Sequence, residues 1–482
     1  MWKYNASKTN ILFFPPKTEE EKKKNMQVRI ISRETIKPSS PTPSHLKTLK
    51  FSLFDQIAPK TYIPTILFYP TNDGLLKLSQ ISSHLKKSLS EALTRFYPLS
   101  GRKKDNFSME CDDQGASYSE ALVDYNMSEF LDPPKIDLLN QLLPCQPWVA
   151  CEDRASAVFL AIHVNFFNCG GVAIGVCVLH TIADGITVSA FLKTWATIAL
   201  GADDQLFSPD FTTASALFPP RDVLPLTPPN RFRLAWNKEG VSVTRRFVFD
   251  ANAMAALKAK AKGEHLSNPT GYESLAALMW KCLIRASRMM SGFPTQPSYL
   301  EHAVDMRRRM GKLLSASSMG NLVTTASAVH GVATDTCVIV RELASKVRQS
   351  IEEINGDLLT NLQGDEGFLL ISGHGEMLAQ VVKKVEPESV GFTNWKNFGF
   401  NEINFGWGKP VWVGISGGVN LSYINYVLFK DVECGNKGTE AWVTLEEKKM
   451  AVFENDPDLL AFALPNPSVR LSPARNHDHH KN

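Results

Sequence analysis

Two apolar runs constrain this chain more than any other feature. Val158-Phe-Leu-Ala-Ile-His-Val-Asn-Phe-Phe167 and Val172-Ala-Ile-Gly-Val-Cys-Val-Leu179 flank Asn168-Cys-Gly-Gly171, whose residues suit a tight turn with positive φ. The spacing predicts a β-hairpin of two buried strands. His180 then falls at a strand end rather than within a helix, followed by the polar turn Thr181-Ile-Ala-Asp-Gly185. Ile186, Phe191, Leu192, Trp195, Ile198 and Ala199 recur broadly at helical periods, so a helix over 186–200 should pack on that sheet. A histidine at the mouth of a buried strand can meet a ligand from solvent. A neutral imidazole, with a pKa of about 6.5, suits proton abstraction from an alcohol at neutral pH. Histidine also sits satisfied in cores, and Asp184 could orient it or lock the loop elsewhere. Spacing alone leaves these alternatives open.

The chain has 482 residues, more than one hydrophobic core usually supports, so two domains are expected. Its 52 basic and 49 acidic residues leave a net charge of +3, too balanced for a nucleic-acid or membrane field. No run approaches the roughly 18–20 apolar residues of a membrane span. Ile11-Leu-Phe-Phe14 is too short for a secretory core, and Pro15-Pro16 interrupts it. The eight cysteines (Cys111, Cys145, Cys151, Cys169, Cys177, Cys282, Cys337 and Cys434) show no CxxC pairing and read as reduced, mostly buried thiols. A cytosolic globular protein without a structural metal is the expectation.

Residues 1–25 end in the charged run Glu19-Glu-Glu-Lys-Lys-Lys24 and read as a disordered extension. Residues 26–202 form a first unit: a strand at Met26–Ser32, alternation over Lys47–Phe54, a buried strand at Ile63–Pro70 and a helix over Leu75–Phe96. Prolines at 219, 220, 225, 228 and 229 mark 203–240 as a crossover linker. A second unit, 241–466, opens with a strand at Val241–Phe249 and a helix over Ala251–Lys262. A further helix at Tyr272–Arg288 is capped through Asn268-Pro-Thr270. Val304–Arg309 and Leu322–His330 read as strand material around a Gly320-Asn321 turn, and Ala333–Leu362 as largely helical. Strands are expected at Pro410–Ile415, Val419–Phe429 and Ala441–Leu445, a mostly helical stretch over Glu446–Phe462, and a polar tail over 467–482. The alternation of helices and strands suggests α/β layers in both halves.

Asn404-Phe-Gly-Trp-Gly408 is the second unusual stretch: two glycines flanking a tryptophan permit a constrained turn with a large aromatic anchor, though it could equally be a core-holding loop. GxSxG, GxxxxGKS and HExxH are all missing, so hydrolase-elbow, P-loop and zinc-protease readings lack support. His477-Asp-His-His480 lies on the polar tail and reads as solvated, and Cys169 reads as a packed thiol for want of a basic partner.

His180-Thr-Ile-Ala-Asp184-Gly185 and Asn404-Phe-Gly-Trp-Gly408, in this order, resemble the HxxxDG and DFGWG motifs of the plant BAHD acyl-CoA-dependent acyltransferases. The likeness continues through Tyr97–Arg102, Phe166–Gly171, Trp280-Lys281, Val304–Arg307, Gly320-Asn321 and Trp442–Leu445. Lys47–Pro70 and Val164–Gly185 look most like the alkaloid O-acetyltransferase branch. The resemblance implies two similar-sized chloramphenicol-acetyltransferase-like α/β domains joined by a long crossover, with a solvent channel between them. It implies a monomer with no permanently bound cofactor, which takes acyl-CoA, acetyl-CoA foremost, and a small-molecule alcohol as substrates. His180 is then the general base, Asp184 a loop-holding residue in an ion pair, and Lys258 a neighbour of the CoA phosphates. In the family the DFGWG aspartate pairs with an arginine matching Arg307. Here position 404 is asparagine, so Arg307 is expected to lose its counter-charge unless Asp305 or Glu402 compensates, which would lower stability or alter CoA handling. A malonyl donor, an amine acceptor and a catalytically silent ligand-binding homologue are the alternatives.

Overall fold

A computed structural model describes residues 26–70, 78–147, 157–202, 207–222, 238–292, 297–331, 338–371, 388–417, 419–423, 425–432 and 437–471. The extension 1–25, the histidine tract at 477–480 and half of the proline-rich crossover lie outside these residues. So do Cys151, Cys337 and Cys434.

The hairpin is the middle of a six-stranded sheet. Its strands run in the order Val28–Ile36, Ala116–Val123, Leu160–Phe167, Val172–Leu179, Tyr62–Tyr69 and Trp412–Gly414. Leu160–Phe167 and Val172–Leu179 pair antiparallel, with Leu160 opposite Val178 and Phe166 opposite Val172. Gly170 takes the positive φ of the turn, 86°. Every residue of these two strands and of Tyr62–Tyr69 is buried, which is why they read as continuous apolar runs rather than alternating ones. Helices Leu78–Arg95 and Gly185–Ala199 seal this sheet, with Leu85, Leu89, Phe191 and Trp195 in one core. The Trp195 indole N–H, buried with them, donates to Ser88 Oγ at 3.1 Å.

A second, eight-stranded sheet runs Val323–His330, Ser298–Asp305, Glu388–Asn394, Tyr426–Asp431, Thr439–Glu446, Lys238–Phe249 and Val419–Tyr423, with Leu464–Pro465 also paired to Lys238–Phe249. Helices Ala251–Ala261, Gly271–Ser291, Val340–Glu353 and Glu447–Phe453 bury their apolar residues against it. Gly271–Ser291 starts at a capping box, with the Thr270 side chain and Glu273 satisfying each other's backbone N–H groups, and stops at Gly292 with φ 70°. A small sheet of Thr48–Lys50, Ser108–Glu110 and Arg102–Lys103 completes the mixed α/β architecture.

The two large sheets share a core. Trp412 belongs to the first sheet, yet its ring stacks on Trp442 of the second at 5.7 Å and meets Phe68 at 5.2 Å. Beside it Glu440 is fully buried. Its Oε1 accepts from Arg246 at 2.7 Å and from the Trp412 indole at 3.2 Å, while Oε2 lies 2.9 Å from Lys430 Nζ. Burial would push that carboxyl up, but the two cations outweigh it and hold the pKa at about 2.

Several expectations need correction. Lys47–Phe54 is not one strand: it ends at Lys50, and Leu53–Ile57 is a short helix. Ser52 caps that helix in a reciprocal box with Asp55, a local bond stronger than the alternation it interrupts. The Ser298–Asp305 strand stops before Arg307, and 306–322 is loop. Val419–Phe429 is two strands, and Ala116–Val123 and Glu388–Asn394 are strands the pattern reading passed over. The tail expected from 467 is docked at its start: Val469 is buried, its N–H donates to Leu131 O at 3.0 Å, and Pro467 O accepts from Arg246. Cys169 is exposed rather than packed, its Sγ accepting from Met127 N at 3.4 Å. Among the described residues no helix is long and apolar enough to cross a membrane.

Candidate active site

His180 sits where the hairpin leaves the first sheet. Its N–H donates to Thr61 O at 2.8 Å, which continues the pairing of Tyr62 with Leu179 by one step. The side chain is half-buried and faces a loop from the second half of the chain. His180 Nδ1 lies 3.0 Å from Asn321 Oδ1. The orientation of that amide is determined by its other contacts. Asn321 Nδ2 donates to Asp55 Oδ1 at 2.9 Å and to the His180 carbonyl at 2.7 Å, which occupies both of its hydrogens. The backbone N–H of Asn321 also donates to Asp55 Oδ1, at 2.8 Å. Asn321 Oδ1 is therefore an acceptor facing the ring, and His180 Nδ1 carries the proton. In the neutral imidazole the lone pair then belongs to Nε2.

Asp55 is itself held by four donors: the two from Asn321, together with Ser52 N at 2.8 Å and Ser52 Oγ at 2.7 Å. Burial pushes its carboxyl up, against the lowering effect of these hydrogen bonds. Sequence reasoning noticed Asn321 as part of a turn and of the family likeness, without a role, and did not single out Asp55. The one available signal was the Ser52-Leu-Phe-Asp55 capping spacing.

Asp184 points away from this cluster and does two jobs. It is the N-cap of helix Gly185–Ala199, with Oδ1 accepting from Thr187 N at 2.9 Å. It also forms a two-pronged ion pair with Arg307, Nη1 to Oδ2 at 2.8 Å and Nη2 to Oδ1 at 3.2 Å. Leu322 N–H adds a fourth bond at 3.2 Å. Burial raises the Asp184 carboxyl, but Arg307 and the two N–H groups overcome that and leave it below the ordinary value. Arg307 is satisfied further by Asp305 at 3.0 Å and by the Ser318 carbonyl at 2.8 Å. Gly185 has no room for a side chain, since a Cβ would come within 2.9 Å of Phe398 and 3.1 Å of Trp395.

The expected partnership of position 404 with Arg307 is overturned. Arg307 takes its counter-charges from Asp184 and Asp305, and Asn404 lies elsewhere. Asn404 Oδ1 accepts from Gly406 N and Gly408 N, both at 2.9 Å, and so closes its own loop. Both glycines need their freedom, at φ 110° and 105°. Trp407 packs on His84 and Tyr69, and the Tyr69 hydroxyl donates to Ile403 O at 3.0 Å. Tyr69 is at the opposite end of strand Tyr62–Tyr69 from His180, so roughly 23 Å separates the two motifs along the first sheet. An amide oxygen meets both N–H donors as well as a carboxylate would, so no uncompensated charge arises. Glu402 is engaged by Lys409, outside the Arg307 cluster. Lys258 is half-buried in the last turn of helix Ala251–Ala261.

Comparison with known proteins identifies the family of the chain. A family model described as the transferase family matches residues 26–460. A limonoid 7-O-acetyltransferase of Citrus sinensis is 38% identical, covering 92% of this chain and 99% of the relative. The stemmadenine O-acetyltransferase of Catharanthus roseus is 34% identical, covering 89% and 97%. Among solved structures, vinorine synthase superposes with a TM-score of 0.76 at 33% identity, covering 90% of this chain and 98% of that one. With the family matched along nearly the whole chain and full-length relatives above 30% identity, this protein belongs to the BAHD family of acyl-CoA-dependent acyltransferases.

Proposed function

We propose that His180 is the general base of an O-acetyl transfer from acetyl-CoA to a hydroxyl of a plant alkaloid of the monoterpene indole type. The observation that carries this is the Asn321 Oδ1 to His180 Nδ1 contact, which leaves Nε2 basic. As the acceptor oxygen attacks the thioester carbonyl, its proton passes to Nε2. The new C–O bond forms, the tetrahedral oxyanion collapses, and the C–S bond breaks. CoA leaves as thiolate and takes the proton back from the imidazolium, so no covalent enzyme intermediate is needed. Asp184 keeps the turn after His180 in place through Arg307 and takes no proton. Lys258 would contact the CoA phosphates. The resemblance to the alkaloid branch and the stemmadenine-acylating relative support the acceptor class, and the names of the acetyltransferase relatives support the acetyl donor. A monomeric protein of the cytosol fits this reading.

The test offers acetyl-, malonyl- and hydroxycinnamoyl-CoA against pooled alkaloids and limonoids, with product mass as readout. An acetylated alkaloid alcohol is expected. His180→Ala should lower kcat by about 10²–10⁴, the usual range for a lost general base. A His180→Ala variant with unimpaired turnover would sink the base assignment, and exclusive use of another donor or acceptor class would sink the substrate assignment.

A further inference from the structure

We infer that Asp55 is a positioning residue for acyl transfer, because its carboxylate fixes which way the Asn321 amide faces and thereby which nitrogen of His180 carries the proton. The inference rests on the reading of His180 as base. It reaches beyond that reading to a group on a different element, helix Leu53–Ile57, whose other residues Leu53, Phe54 and Ile57 pack into a core with Val304, Met306 and Leu322. That core ties the helix to the loop carrying Asn321, so the acceptor and the amide it reads move together.

Asp55 and the His180 carbonyl hold the amide this way round together, and without Asp55 only the carbonyl, on the other Nδ2 hydrogen, is left to choose. An asparagine side chain presents an oxygen or an NH₂ to its neighbour with little difference in shape, and only the polarity of the surroundings chooses. Were Asn321 turned over, its NH₂ would face His180 Nδ1, the ring would place its proton on Nε2, and the lone pair facing the substrate would be lost. Two features make Asp55 the deciding group. Its Oδ1 accepts from Asn321 twice, through N at 2.8 Å and Nδ2 at 2.9 Å, so it can only face a donor. Its Oδ2 is saturated by Ser52 N and Oγ, which pins the carboxylate against rotation. Asp55 and Asn321 are 7% and 4% exposed, so water does not substitute for either contact.

Reversing the polarity of the pair tests this. In Asp55→Asn one amide oxygen must serve either the Ser52 donors or the Asn321 donors, and cannot serve both. In Asn321→Asp two carboxylates oppose each other. In the combined D55N/N321D variant the polarity of the side-chain contacts alone is restored: the residue 55 oxygen accepts from Ser52, its NH₂ donates to the new carboxylate, and that carboxylate accepts from His180 Nδ1, while the residue 321 backbone N–H and the His180 carbonyl lose their partners. Each single variant should lower kcat by about 10–100-fold, within the range of a mis-set general base, with KM for acyl-CoA held within about threefold. The combined variant should recover at least about tenfold over D55N, against the additive worsening that independent structural damage gives. A combined variant that melts no lower than D55N and is no more active overturns the inference, since the polarity of the three groups is held to be what matters. His180→Ala, measured alongside, separates this failure from failure of the base itself: a fully active His180→Ala removes the base, whereas an inactive one with D55N at wild-type turnover removes only the role of Asp55.

Discussion

Asp184 can be assigned to scaffolding or to chemistry by breaking its ion pair from each side. In Asp184→Asn, Oδ1 still accepts from Thr187 N and Arg307 Nη2, but the new NH₂ meets two donors, Arg307 Nη1 and Leu322 N. Two bonds are lost and a buried guanidinium keeps only Asp305 as a counter-charge. Removing one partner of a buried pair costs about 3–5 kcal/mol. At this chain length a kilocalorie moves Tm by about 1 °C, so a fall of roughly 3–5 °C is expected by scanning calorimetry. Arg307→Met leaves Asp184 buried with only its N–H partners and should cost a similar amount. The two together, D184N/R307M, remove both charges and should be more stable than either single variant, with a coupling of about 1–3 kcal/mol. Turnover should follow the same order, because His180 is displaced to the extent that the turn loosens. If Arg307→Met keeps full activity and Tm while Asp184→Asn is inactive, Asp184 does chemistry and the scaffolding argument fails.

Two further outcomes concern other sites. Asn404→Ala leaves Gly406 and Gly408 N–H without their acceptor and should cost about 1–2 kcal/mol, whereas Asn404→Asp should change Tm by less than about 1 kcal/mol equivalent and leave kcat unaltered. A large gain in stability or turnover in Asn404→Asp would mean that the asparagine is a defect after all. Glu440 has its pKa held at about 2 and Asp184 is also depressed, so both contribute stability above the ordinary carboxylate range and lose it as pH falls through their folded values. Tm should therefore be flat near neutrality and fall steeply below about pH 4. Glu440→Gln should lower Tm at pH 7 and flatten that acid limb; an unchanged limb would refute the assignment.

The hairpin and the helix after it were legible because apolar runs and helical periods are local signals, and Val172–Leu179 into His180 needs no partner to be read. The motif residues were equally visible as residues. Their partners were not. Asp55, Asn321 and His180 are brought together by chain closure across 266 and 141 positions, a distance over which no periodicity operates. The capping box at Ser52 was readable in principle, but the alternation before it masked the helix. Position 404 shows the opposite failure, in which a motif comparison assigned a partner and the fold placed Asn404 at the other end of a strand.

Trp412–Gly414 carries a consequence for how the molecule is made. Until it pairs, Tyr62–Tyr69 is an edge strand of eight buried positions, all but Thr65 apolar or aromatic, with an unfilled ladder. On the ribosome that edge stays uncapped until Trp412, roughly 340 residues further along the chain, has emerged. An N-terminal fragment ending in the crossover therefore presents a sticky ladder rather than a finished domain, and belongs with the slow, aggregation-exposed topologies of high sequence separation. Separate expression of the halves is accordingly a poor route to either, and the intact chain is the unit of folding.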